Sequence, residues 1–361
     1  MIQINDYALL ATSAYKTSDN NLIEVGGWTV LPQFTKNSSS GFYAKANSNT
    51  DGSEVVIAFS GTTPGVKDWL NGNAAAIQFP AIQVIEAMKF YLDVKAANPD
   101  ANITFTGHSL GGGLAALMAI FFDKQAVVFD EAPFGGTASN LTLLLTYEGL
   151  LLADGYMSLD FSAYIASVAI LGPVSNFYLP RESNVTHIYL ENEALVYVRA
   201  LFNTIAGTEL PPIKMGDSNL IDPVELHSMT LLTAMLVNNE FAGLVQKLPN
   251  FAVYLRNYKW YGVEDINAPK ADLLTNLLNE QYGPKNNAKL SAFITDLQNL
   301  LGTDGTCLSN LGVKDALMVT AMEYYYNKID VSADQFFTVF DGGIHFKYSD
   351  IGEVHLELNL Y

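Results

Sequence analysis

The order of strand-like and helix-like segments predicts an α/β fold with a mostly parallel central sheet flanked by helices. Three observations carry this reading. The helical pattern "AIQVIEAMKFYLDVKAAN", ended by Asn98-Pro99, leads into the strand-like "NITFTGH", the small-residue helix "LGGGLAALMAIFFDK" and the strand-like "AVVFDEAPF". The connections between them are short, and strands that alternate with helices in this way pair in parallel, with helices on both faces. The chain of 361 residues is 49% hydrophobic, enough to cover such a sheet on both sides.

Element by element, "MIQINDYALLATSAYKTSDN" reads as a short amphipathic helix with Ile4, Ala8, Leu9 and Ala11 to Tyr15 turned inward, and it lacks the pattern of a signal peptide. "GWTVLPQF", "GFYAKAN" and "EVVIAFSGT" read as strands, the last two joined by the turn residues "SNTDGS". Beyond "VVFDEAPF", about fifty residues rich in Leu, Ala and Tyr are expected to form two or three inserted helices over roughly 134–183, as core or as an apolar cap. The strand "NVTHIYLE" follows, then the helical "LHSMTLLTAMLVNNEFAGLVQKL". A first domain is placed at 1–250, and a C-terminal extension at 251–361, mainly helical with a β-like tail.

Charge and composition exclude several functions. A net charge of −18 with 19 scattered basic residues repels nucleic acid and anionic bilayers on average. The longest apolar run, "LGGGLAALMAIFF", is too short to span a bilayer. The single cysteine, Cys307, precludes an intramolecular disulfide and a cysteine metal cluster, and neither cofactor nor metal is expected.

The candidate site begins at Gly107-His108-Ser109-Leu110-Gly111, which fits G-x-S-x-G between a strand and a helix. Such an elbow needs small flanking residues because the serine sits in a strained turn, and it presents the serine at a helix N-terminus. A nucleophilic serine needs a base, normally a histidine oriented by a carboxylate. Of five histidines, His227 is preferred: it follows the serine and stands where a Pro-containing stretch meets a helix, in "IDPVELHSMTLLTAML". His108, His187, His345 and His355 are less well placed. For the acid, Glu191 and Glu193 stand at the end of the strand in "HIYLENEAL", on one face if the strand continues; Asp130, Glu131 and Asp222 are weaker options. The Leu110 N–H, and a second donor from the loop in "IAFSGTTPGVKDWL", would hold an oxyanion.

These segments resemble the class 3 lipase family of α/β-hydrolases, over roughly residues 5–245. "AFSGTTPGVKDWL" looks like that family's oxyanion loop, "ITFTGHSLGGGLAALMA" like its nucleophile segment and "VTHIYLENEALVYV" like its acid-bearing strand. The resemblance implies an α/β-hydrolase fold with Ser109 as nucleophile, His227 as base, Thr62 and Leu110 as oxyanion hole, and Glu193, in preference to Glu191, where the family has aspartate. It implies a serine carboxylic-ester hydrolase of acylglycerols or other fatty-acyl esters. Transient contact with a lipid interface is implied too, through a lid near "TPGVKDWLNGNAA". Phospholipase A activity, disfavoured by the few basic residues near the motifs, and a catalytically silent binding module are the alternatives. The acidic, cysteine-poor composition and the extra C-terminal segment also look like the lipase regions of bacterial proteins exported without a cleaved signal, which implies secretion, with a cytoplasmic location as the alternative.

Overall fold

The computed structural model describes residues 2–15, 25–61, 81–171, 180–201, 208–209, 213, 223–247, 258–260, 273–283, 288–301, 337–340, 343–346 and 356–358. Seven strands form one sheet in sequential order: β1 (Trp28–Asn37), β2 (Tyr43–Asn49), β3 (Glu54–Phe59), β4 (Asn102–His108), β5 (Ala126–Phe129), β6 (Val185–Ile188) and β7 (Thr208–Glu209). β1, β2 and β3 pair antiparallel, and β3 to β7 are parallel throughout. The predicted mostly parallel sheet is present, with the expected hairpin ahead of it.

Strand alternation decides what each face meets. On β4, Ile103 and Phe105 point into the main core with Val55, Ile57 and Phe59 of β3. That face is covered by α2 (Ala81–Ala97) and α3 (Leu110–Phe122), whose buried residues belong to the same cluster. Thr104 and Thr106 point the other way, to α1 (Ile4–Ser13): Tyr7 Oη donates to Thr104 Oγ1 at 3.0 Å, and Thr106 Oγ1 donates to the Tyr7 carbonyl at 3.3 Å. Ala8, Leu9 and Ala11 are buried as expected, whereas Ile4, in the first turn, is exposed.

The insertion after β5 holds three helices, α4 (Gly135–Ser139), α5 (Leu141–Ala153) and α6 (Leu159–Leu171); residues 172–179 lie outside the described residues. Asn140 caps α5 by accepting from Leu143 N–H at 3.2 Å. The inner faces, with Leu144, Tyr147, Leu151, Phe161, Tyr164 and Val168, join the main core. Phe161 packs on Phe121 of α3 with centroids 5.0 Å apart, and Tyr164 Oη donates to the Ala138 carbonyl.

After β6 come α7 (Val196–Leu201), the single turn α8 (Pro223–Leu226) and α9 (Met229–Val237). The long helix expected after Leu226 is in fact broken at Asn238, whose Oδ1 accepts from Phe241 N–H and starts α10 (Asn239–Lys247). Two compact units part inside α9, between Thr233 and Ala234. The described part of the second unit contains β8 (Tyr258–Trp260), α11 (Leu273–Tyr282), α12 (Lys289–Leu301), β9 (Phe337–Phe340), β10 (Gly343–Phe346) and β11 (Leu356–Leu358). In it, β9 pairs antiparallel with β10, β8 pairs antiparallel with β11, and Leu277, Leu278, Phe293 and Ile294 are buried. Of the extension expected to be mainly helical, the helical pattern "VKDALMVTAMEYYYNKI" lies outside the described residues.

Candidate active site

Ser109 links β4 directly to α3 and has φ 56° and ψ −126°, a backbone conformation costly for any residue with a side chain. The surroundings enforce it. Ser109 N–H donates to the Phe129 carbonyl at 3.1 Å, and the Ser109 carbonyl accepts from Gly113 and Ala132 N–H at 3.1 and 2.9 Å. A Cβ on Gly107 would collide with the Gly111 carbonyl, and one on Gly111 with the Phe59 carbonyl, so the turn closes only with glycine at both places. Ser109 makes no side-chain cap to its own helix. Leu110 is the first residue of α3, so its N–H has no acceptor within the helix.

His227 stands between α8 and α9. Its N–H donates to the Pro223 carbonyl at 3.1 Å, and capping of α9 falls to the next residue, Ser228, whose Oγ accepts from Leu231 N–H. The imidazole is buried and its Nδ1 lies 2.5 Å from Glu193 Oε2. An ionised carboxylate only accepts, so Nδ1 carries the proton and Nε2 is left as the basic nitrogen. Among the described residues, His227 Nε2 has no hydrogen-bond partner. The ring rests against that of His108, the residue before Ser109, with centroids 4.6 Å apart.

Of the two candidate glutamates, Glu193 is fully buried and bonded to His227, while Glu191 is partly exposed. The strand does not continue as alternation assumed: Asn192 has φ 63° and turns the chain between them. Glu193 Oε2 also accepts from Leu195 N–H at 2.8 Å, and Glu193 Oε1 from Arg199 Nη2 at 2.5 Å. Arg199, buried on α7, donates from Nη1 to the Glu131 carbonyl at 2.9 Å and stacks over Tyr189.

Around this core lies a second set of polar groups. His108 points to the α1 side of the sheet, where the Tyr15 hydroxyl bonds its Nδ1, and its Nε2 is 3.7 Å from Asp130 Oδ2. Burial and the neighbouring charge of Glu193 raise the Asp130 carboxyl well above the ordinary range, against the pull of Arg199. Glu131 is also buried, which alone would raise it, but Arg199 and His187, 3.0 Å away, hold it low. Burial pushes the Tyr15 hydroxyl far up, so it stays neutral. His108, Asp130 and His227 place one potential metal-ligand atom each within 4.8 Å of one another.

α1 braces the site from behind. Thr12 Oγ1 lies 2.6 Å from Thr233 Oγ1 on α9, and Thr233 also donates to the Ala8 carbonyl at 3.3 Å. One helix thus holds both the serine-bearing strand and the helix that starts beside His227.

Ser109, Leu110, Glu193 and His227, expected from the sequence, lie on segments that the fold brings together. Thr62, the lid segment 63–75 and Asp222 lie outside the described residues, as do the side chains of His345 and His355. Arg199 and Tyr15 were not expected there from the sequence; the signal for Arg199 was a lone basic residue within the apolar "ALVYVRALF".

A parallel sheet that presents serine on a strained strand-to-helix elbow is the arrangement of the α/β-hydrolases. Residues 6–136 match the Tle-like phospholipase domain. The chain is 35% identical over 143 residues to an extracellular phospholipase A1 of Serratia liquefaciens, a match covering 36% of this chain and 43% of that protein. It is 40% identical over 57 residues to the putative lipase atg15 of Penicillium rubens, covering 16% of this chain and 8% of the relative. The chain thus spans less than half the length of these curated relatives. Among solved structures, it is similar to the Lip2 lipase of Yarrowia lipolytica at 13% identity, with TM-score 0.35, covering 57% of this chain and 76% of the other. A triacylglycerol lipase of Penicillium expansum is similar at 16% identity, with TM-score 0.31, covering 56% and 76%.

Proposed function

We propose that the chain is a serine-dependent carboxylic-ester hydrolase acting on fatty-acyl esters of glycerolipids. The observation that carries the reading is the strained Ser109 elbow beside a buried imidazole whose Nδ1 is held by Glu193. Ser109 Oγ attacks the acyl carbonyl as His227 Nε2 takes its proton. Glu193 fixes the tautomer and stabilises the imidazolium, and the imidazolium then protonates the leaving alcohol. Leu110 N–H, with a second donor at Thr62, holds the oxyanion at the N-terminus of α3. Water, activated by the same histidine, releases the fatty acid from the acyl-enzyme.

Phospholipid is the second reading of the substrate. The match of residues 6–136 to a phospholipase domain and the Serratia relative support it, and they weigh against the ranking drawn from the scarcity of basic residues. That relative is named as extracellular, which supports secretion of this chain as well. No helix among the described residues is long and apolar enough to cross a membrane. The catalytic residues fall within the proposed domain 1–250, leaving 251–361 as an extension.

The test is turnover of a chain-length series of nitrophenyl esters, then of phosphatidylcholine against triacylglycerol, by wild type and Ser109→Ala. Loss of activity with Ser109→Ala and labelling of Ser109 by a fluorophosphonate are expected. Activity unchanged by the substitution would overturn the mechanism, and an unlabelled, inactive wild type would favour a silent binding module.

A further inference from the structure

α6 is apolar on both sides, and α5 carries exposed leucines on its outer side beside Thr142 and Thr146. Their inner faces are core, yet the outer faces carry Leu145 and Leu152 on α5, 52% and 55% exposed, and Leu159 and Ile170 on α6, 79% and 72% exposed. Among the described residues of α6, Leu159, Ala163, Ala166, Ala169 and Ile170 are exposed, and four of them, Leu159, Ala163, Ala166 and Ile170, are spaced i, i+4, i+7 and i+11 in one continuous stripe along the helix. Leu141, Leu145 and Leu152 make the corresponding row on α5, and Met157 between the helices is 74% exposed. A helix that is apolar all round, as α6 is, is normally buried on all sides, so one left open on one side, with exposed leucines beside it on α5, marks a surface with a partner.

The charges nearby say what kind of partner. Glu148, in the α5 row, is turned to α6, where Ser162 Oγ donates to it at 2.5 Å. Two lysines of α2 come close, and both are neutralised: Lys89 pairs with Asp154, and Lys95 with Asp160 at 3.4 Å. The described residues of this face therefore offer mainly leucine, isoleucine, methionine and alanine, with Thr142 and Thr146 as the exposed polar residues of α5 and no uncompensated cation. Docking on an anionic bilayer relies on basic residues, which are missing from this face. A second copy would bring two chains of charge −18 together, whereas an uncharged surface meets no such repulsion.

We infer that the outer face of α5 and α6 docks the protein on a lipid surface without net charge, such as a zwitterionic phospholipid bilayer. This rests on the proposed function only for the source of the lipid. It places the contact on the insertion after β5 and not on the segment 63–75 that the sequence resemblance assigns to a lid.

The experiment compares the full chain with Leu145→Asp/Leu152→Asp and Leu159→Asp/Ile170→Asp by cosedimentation with phosphatidylcholine vesicles. Hydrolysis of a water-soluble short-chain nitrophenyl ester and circular dichroism serve as controls. Each pair of substitutions is expected to weaken vesicle binding by about tenfold or more while short-chain turnover and fold stay at the wild-type level. Unchanged vesicle binding in both variants would overturn the inference. So would tighter binding to phosphatidylserine vesicles than to phosphatidylcholine. Wild-type dimers that the substitutions dissociate, with vesicle binding unaffected, would instead assign the face to a second copy. Binding without short-chain turnover would sink the hydrolase reading and leave the docking surface standing.

Discussion

Glu193 Oε2 and His227 Nδ1 are 2.5 Å apart although 34 residues separate them in the chain. The contact is made by one of two glutamates that stand two positions apart at the end of one strand. Glu193→Gln keeps the shape but replaces an obligatory acceptor with an amide that can stabilise the wrong tautomer. We expect kcat on short-chain esters to fall by about 10³-fold or more, and Glu191→Gln to leave it near wild type. Steady-state kinetics of the two variants side by side check this.

The elbow strain predicts a trade between activity and stability. Glycine tolerates the backbone angles of Ser109, so Ser109→Gly is expected to be inactive yet more stable by about 1 kcal/mol. Ser109→Ala retains a Cβ and is expected to be inactive at unchanged stability. Urea denaturation of the three chains tests the difference.

Arg199 is the buried cation between Glu193 and Glu131. Arg199→Met leaves two buried carboxylates without it, and breaking such a pair costs about 3–5 kcal/mol. The variant is expected to unfold at much lower denaturant concentration, and activity should fall even below its midpoint because Glu193 loses one of its anchors.

Asp130 gives a pH signature. Its folded-state carboxyl is raised, so the favourable protonated form is complete below the ordinary aspartate range, and its contribution is lost as pH rises through the raised value. Asp130→Asn cannot ionise and keeps an oxygen for Leu190 N–H, which Asp130 Oδ1 accepts at 3.0 Å. The variant should therefore melt higher than wild type at about pH 8, with the gap closing on acidification towards about pH 4. Thermal melts across that range read it directly.

Much of the fold was legible because its signals are local. Asn98-Pro99 ends a helix, glycines bracket Ser109, and strands of alternating character meet different layers. What stayed hidden depended on single backbone angles and on distant partners. Alternation placed Glu191 and Glu193 on one face, and the left-handed Asn192 separated them. Asn238 interrupted a helical pattern that continued on both sides because its side chain could cap the next helix. Tyr15 and Arg199 gained their meaning only when α1 and α7 were placed against the sheet. The insertion was read as apolar, but no periodicity distinguished its covered side from its open one, since both are rich in leucine and alanine.

The Thr12–Thr233 contact ties nearly the first and the last residues of the unit that holds the site. During synthesis α1 emerges early and waits, and its bond to α9 cannot form until more than two hundred further residues have left the ribosome. Until then the helix that begins beside His227 lacks this bond, and a nascent chain carries Ser109 long before it carries His227. Activity should therefore appear in one step, only when residue 233 is free to dock, and a chain ending short of it should hold a folded sheet with no working site.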